Sequence, residues 1–499
     1  MNRKTVTSIC VCAVAGLAMV SAAGHAPRAA RAARPTAVVA PAVLPSKAPP
    51  VVQVSADTRF SDLRGRDGFW RIGRTHDGVW WFLSPQNKTE FLNGVTTVQP
   101  ALESLDAKGP AYVSGDWDAA MTPRSLRRWA ELTTIRVRAA GFKSLGAWCN
   151  PALESGTLPM TLDLNVCRWV PYNAMLFSPD WQSGAEAAIK AQASPLRENR
   201  NLIGYYIDNE LEWDKQAMGP RLFFDNLGAA DPNRREVCGI IRSTWKTVDA
   251  FNKDWHTCLG DWSDLEQHPK LPEATGSAYE RLESRWLTHV AEAYFRITTS
   301  LIRKYDPNHL ILGCRYRGWV PAEVPLGARQ YTDAQSLNYY ASDALLDSHT
   351  FAMIAEQSKQ PLIVSEYSFH APDGRSGNRN RARFPGEVAN QAARAAGYRL
   401  MTRRLAQVPY VIGADWFQWM DEPPAGRARD GEDANLGVVD LQDRPYEQLV
   451  EAIRETTPLL DDIHAGSSKA GHQMVWRTPP QGTHQPTAFA GGNDLLEKQ

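Results

Sequence analysis

After a first stretch of different character, the chain alternates short apolar runs with longer segments of helical periodicity, the order expected of repeated β-α units. Apolar runs at residues 91–98, 142–149, 170–177, 202–211, 309–317, 334–340, 361–369 and 411–420 read as eight strands. Amphipathic segments at 123–140, 183–193, 277–305, 344–358, 386–407 and 446–456 read as helices between and after them. Eight strands with helical crossovers predict an α/β fold, a (β/α)8 barrel. Ahead of it, "FWRIGRTHDGVWWFLSPQNKTEFLNG" alternates aromatic and polar residues around "HDG" and "PQNK", which predicts a β-hairpin lead-in. Residues 214–276 interrupt the alternation and predict a helical insertion after the fourth strand.

Residues 9–20 form an apolar run behind Arg3 and Lys4 and ahead of "SAAG", the layout of a secretory signal and too short for a comfortable membrane span. The expected organisation is a signal peptide at 1–23, an Ala/Pro-rich disordered linker at 24–54, a catalytic barrel at 55–464 and a poorly ordered tail at 465–499. Export, to the periplasm or outside the cell, is the expected localisation.

Lys+Arg and Asp+Glu both number 55, so no net field would gather nucleic acid or an anionic membrane, and a neutral partner is the natural expectation. Trp (17) outnumbers Phe (15) and Tyr (15). Flat aromatic faces suit the C–H faces of sugars, although any single Trp also serves a core. Of seven cysteines, Cys10 and Cys12 lie in the signal. The other five lack CxxC spacing, leaving Cys149–Cys167 and Cys238–Cys258 as short-range disulfide candidates. Oligomeric state is left open.

Candidate chemistry sits at the strand ends, where a parallel barrel places its ligands. The fourth strand closes in "GYYIDNELEW" and the seventh in "LIVSEYSFH", so each delivers a glutamate, Glu210 and Glu366. Glycoside hydrolysis needs one carboxylic acid to protonate the leaving oxygen and one carboxylate to attack or to activate water. Strands four and seven lie nearly opposite, so the two side chains can converge. No Ser-nucleophile elbow, phosphate loop or HExxH motif competes, and neither metal nor cofactor is expected. "DGEDANLG" at 430–437 is dense in oxygen ligands but misses the EF-hand spacing.

With "FKSLGAWCN", "LIVSEYSFHAPDG" and "DWFQWMDEPPAGRARDGEDANLGVVDLQDRPYEQLVEAIRETT", these motifs resemble the β-agarases of glycoside hydrolase family fifty, and the stretch "FNKDWHT" with the Trp that follows it resembles, more distantly, the family forty-two β-galactosidases. The resemblance implies a retaining mechanism with Glu366 as nucleophile and Glu210 as acid/base. It further implies that Asn209 binds the sugar 2-OH, with a capping or core amide as its alternative, and that Trp416 forms an aromatic floor. Of Tyr339 and Tyr340, Tyr340 is expected to bind the nucleophile, and a strand phase shifted by one residue would exchange it with Tyr339 as the core residue. Trp148 and Trp213 read as stacking or packing residues and His370 as a substrate or loop residue. Asp208 and Glu212 read as structural partners of Arg or Lys near the rim. The family commonly carries an amino-terminal carbohydrate-binding sandwich, whereas here the linker leads almost directly into the hairpin. The expected partner is thus an agarose-like polysaccharide or a shorter oligosaccharide. A β-galactosidase-like exo-glycosidase and a non-catalytic carbohydrate-binding barrel are the alternatives.

Overall fold

The computed structural model describes residues 57–100, 123–170, 176–214, 217–274, 276–428, 430–470 and 476–477. The expected signal peptide and linker lie outside the described residues. Strands β1 (Phe60–Arg64), β2 (Arg71–Thr75), β3 (Trp80–Leu83) and β4 (Thr89–Glu90) form an antiparallel sheet in chain order. Then follow β5 (Leu92–Val95), β6 (Ser144–Leu145), β7 (Met160–Asp163), β8 (Leu202–Tyr206), β9 (Leu310–Ile311), β10 (Arg315–Arg317), β11 (Gln335–Asn338), β12 (Leu346–Asp347), β13 (Leu362–Tyr367), β14 (Val411–Trp416) and β15 (Trp476–Arg477). Nine of these make one parallel sheet, ordered β10-β11-β13-β14-β5-β6-β7-β8-β9.

The two end strands of that sheet, β9 and β10, are consecutive pieces of one chain run, so the sheet curls back onto itself. The break falls at Gly313, whose φ of 79° is open to glycine and strained for other residues. β9 pairs with β8 and β10 with β11, so the fifth barrel strand joins both sides.

The third strand is not where the apolar pattern put it. β7 occupies Met160–Asp163, whereas Val170 ends the short helix Val166–Trp169 and Phe177 stacks on His289 at 5.5 Å. Residues 171–175 lie outside the described residues.

Trp70, Ile72, Trp80 and Phe82 of the antiparallel sheet pack with Leu92, Ile203, Leu310, Ile363 and Ile412, which stand at the starts of barrel strands. The sheet therefore floors the amino-terminal end of the barrel, each large apolar side chain contributing roughly 1.5–3 kcal/mol. After β8 come helices Pro232–Trp245, Val248–Trp255 and Trp262–Gln267, capped by Asp231, Thr247 and Asp261. Phe251 stacks on Trp255 at 4.9 Å to give them their own apolar seam. Helix Ser277–Tyr305 follows.

Within the expected tail, helix Ser467–Ala470 and β15 beside β12 are described, and Arg477 donates to Asp343 at 2.6 Å, while residues 471–475 and 478–499 lie outside the described residues. The disulfide expectation needs correction: all five cysteines from Cys149 onward are free thiols. Cys149 bonds the Val95 carbonyl, and Cys238 is buried in its helix while Cys258 is exposed. No helix among the described residues is long and apolar enough to cross a membrane.

Candidate active site

β8 is buried along its length, and its ladder with the fifth strand continues past Tyr206. The Ile207 amide donates to the Gly313 carbonyl (2.9 Å), the Arg315 amide to Asp208 (3.0 Å) and the Glu210 amide to Arg315 (2.9 Å). The polar run is thereby carried to the carboxyl end of the barrel. Glu210 itself takes a left-handed backbone, φ 51°, uncommon for a residue with a side chain and costing about 1 kcal/mol or more.

One oxygen of Glu210 accepts from Asn338 Nδ2 at 3.0 Å, and the same amide donates to Asn209 Oδ1 at 3.0 Å. Ser365 Oγ donates to Asn338 Oδ1 at 2.9 Å and fixes the amide's orientation. The other Glu210 oxygen lies 3.8 Å from Arg317 Nε. Burial first, and the Glu366 charge second, push the Glu210 carboxyl above its ordinary range, against the pull of Asn338, Arg317 and Arg315.

Glu366, on β13, faces Asn338 across the ladder and is 7 % exposed. Its Oε2 accepts from Arg315 Nη2 at 2.5 Å and its Oε1 from the Tyr340 hydroxyl at 2.5 Å. Arg315 is wholly buried and also donates to the Ser365 carbonyl at 3.1 Å. Its guanidinium lies 5.4 Å from the Trp148 ring, 5.7 Å from Tyr206 and 3.7 Å from Asp163. One buried cation thus serves two carboxylates, an arrangement that a lone buried charge would not survive.

The structure brings Glu210, Glu366, Asn209, Tyr340 and Trp148 into one mouth and leaves other expected residues outside it. Trp416 is fully enclosed against Tyr367, Tyr398 and Arg394, its indole N–H bonded to the Leu436 carbonyl at 3.0 Å. The register between β13 and β14 skips a residue, Leu362 facing Val411 and Ile363 facing Gly413. That bulge turns Asp415 inward and Trp416 outward. Phe417 instead stacks on Phe384 (6.0 Å), whose ring meets Tyr340 edge-on at 4.9 Å. His370 is buried, and its Nε2 is 2.8 Å from the Phe384 carbonyl, so it steadies that aromatic wall from behind. Burial pushes its ring below the ordinary range.

Trp213 stacks on Phe295 at 6.0 Å in the core. Asp208 finds the Cys167 amide (2.7 Å) and the Tyr294 hydroxyl rather than an Arg or Lys at the rim, and burial pushes it up to about 7. Glu212 is exposed. The oxygens of "DGEDANLG" are already engaged. Arg427 holds Asp430 (2.8 Å) and Glu432, while Arg381 holds Asp433 (2.9 Å). Among the described residues no group of three His, Cys, Asp or Glu could hold a metal.

Arg315, Asn338 and Asp415 carry the site without any motif to announce them. Asp415 lies in the barrel interior, where Gly94 and Gly146 leave its room: a Cβ on Gly94 would stand 2.2 Å from Asp415 Oδ1 and one on Gly146 would stand 2.9 Å from Oδ2. Burial pushes this carboxyl up to about 7, with Arg315 lowering it and Glu366 raising it.

The fourth and seventh strands of the parallel barrel thus each deliver a glutamate to one mouth. Solved structures share this fold. "Structure of PfGH50B" superposes with TM-score 0.68 at 22% identity, covering 80% of this chain and 66% of that one. An exo-β-agarase does so with TM-score 0.67 at 22% identity, covering 81% and 66%. In sequence, the chain is 26% identical over 350 residues to β-agarase B of Vibrio sp. (strain JT0107), covering 66% of this chain and 36% of that protein. β-Agarase A of the same strain is 26% identical over 361 residues, covering 66% and 35%. The chain spans about a third of the length of the curated relatives it matches. No family model matches it. The chain is similar in sequence to these β-agarases and shares the fold of the matched structures.

Proposed function

We propose that this protein is an exported retaining glycoside hydrolase of the β-agarase type, cleaving β-galactosidic linkages in agarose-like galactans or their oligosaccharides. The observation that carries the reading is the pair of glutamates held differently across one mouth. Glu366 presents a carboxylate gripped by a guanidinium and a phenol, whereas Glu210 sits where burial and the Glu366 charge favour the protonated acid. In the proposed sequence Glu366 attacks the anomeric carbon as Glu210 gives its proton to the departing oxygen. The ester formed removes the Glu366 charge, the acidity of Glu210 rises, and it takes a proton from the incoming water. Asn209 accepts from the same Asn338 amide, and in this reading it binds the sugar 2-OH. The basic, apolar and small-residue order of residues 1–23 supports export.

The test is digestion of agarose, neoagaro-oligosaccharides and a galactoside panel, with the product anomer followed by NMR. Glu366→Gln should abolish turnover. Glu210→Gln should lose about 10²–10⁴-fold on natural substrates yet far less on an aryl glycoside, whose leaving group needs no acid. Wild-type inactivity on the agar series, or inversion at the anomeric carbon, would refute the proposal.

A further inference from the structure

β10 reads Arg315-Tyr316-Arg317, and alternate residues of a strand share a face. Arg315 is enclosed and spent on Glu366. Arg317, one pleat nearer solvent, is 46 % exposed and only 3.8 Å from Glu210 Oε2, beyond hydrogen-bonding length. Its backbone pairs with Asn338, which pairs in turn with Glu366, so Arg317 and Glu366 stand in one row. Gly318 then turns the chain (φ 65°) and leaves the half-buried Trp319 two residues on, with its amide on the Arg317 carbonyl.

A permanent cation here works against a general acid, because Arg317 favours the ionised form of Glu210. The groups facing Glu210 are otherwise Glu366, Arg315 and Asn338, all explained by holding the two carboxylates. Arg317 alone has no such explanation. Guanidinium forks bind oxyanions bidentately, and an anion arriving at Arg317 would draw the fork off Glu210 and leave the acid its proton.

We propose that Arg317 and the edge of Glu210 form a subsite for an anionic substituent, a sulfate ester or carboxylate, on the leaving-group sugar. The inference rests on the reading above, in which Glu210 protonates the leaving oxygen, and it adds that the preferred galactan is charged.

The experiment compares kcat/KM on neutral agaro-oligosaccharides with that on galactan oligosaccharides of equal length carrying sulfate or a carboxylate on the leaving-group unit. Wild type should favour the anionic series by about tenfold, the scale of one charge-assisted contact. Arg317→Gln should cut both series alike and move the basic limb of its neutral-substrate profile to higher pH. Arg317→Lys should keep part of the preference. Equal rates in wild type, or an unchanged preference in Arg317→Gln, overturn the subsite while leaving the hydrolase reading intact. Should neither series be cut, binding to the Glu366→Gln protein decides the subsite separately: tighter binding of the anionic series that is lost on adding Arg317→Gln supports it, and equal binding overturns it.

Discussion

Asn338 divides one amide between Glu210 and Asn209 and is itself held by Ser365, so a single side chain sets the position of the proposed acid and its neighbour. Because its N–H favours the ionised form of Glu210, removing it has a defined sign. Asn338→Ala should raise the pKa of Glu210, moving the basic limb of kcat/KM to higher pH, and should lower kcat by about tenfold or more through lost positioning. A profile that keeps its limb would sever Asn338 from the acid. Glu210 and Glu366 are legible in sequence because each ends an apolar strand, and Tyr340 because it follows one. Arg315 and Asn338 are visible there only as strand-end residues, since nothing local says that strand five brings its arginine beneath a glutamate of strand seven. Trp416 misleads for the converse reason: one bulge reverses side-chain phase, and a bulge leaves no mark in an apolar run.

At the scale of elements, the first two barrel strands are shaped around a side chain from the eighth. Gly94 on β5 has no room for a methyl group beside Asp415 and Ser144. Gly94→Ala should cost about 1–3 kcal/mol in urea unfolding. Asp415→Ala in the same background should recover much of that loss, because neighbours sharing one space do not act additively. Equal losses in single and double variants would place the crowding elsewhere. Seven of the eight strand runs coincide with barrel strands because their apolar stretches are bounded by turn residues. β7 escapes because Met160–Asp163 is four residues of plain alternation, while the more apolar 170–177 spends Val170 and Phe177 on packing outside the sheet.

For the molecule as a whole, three enclosed carboxyls set a pH dependence. Burial raises Asp163 to about 6 and Asp208 and Asp415 to about 7, from an ordinary 3.8. Folded protein then keeps protons that the unfolded chain has released, so their contribution is intact below about pH 4 and declines as pH rises to about 7. Their contribution to stability should fall between about pH 4 and pH 7. Asp415→Asn should flatten the fall, gaining most at pH 8 and at most ~4 kcal/mol. Melting curves that rise over that interval would contradict the assignment.

The floor of the barrel also bears on how the chain is made. Its wedge of Trp70, Ile72, Trp80 and Phe82 leaves the ribosome first, whereas Leu310, Ile363 and Ile412, against which it closes, are synthesised far later. Until then an aromatic surface waits uncovered on a nascent chain, and long-range contacts of this kind fold slowly. Chains halted before β14 should therefore bind hydrophobic dyes and recruit chaperones, and release of the completed polypeptide becomes the moment at which the aromatic wedge is finally seated.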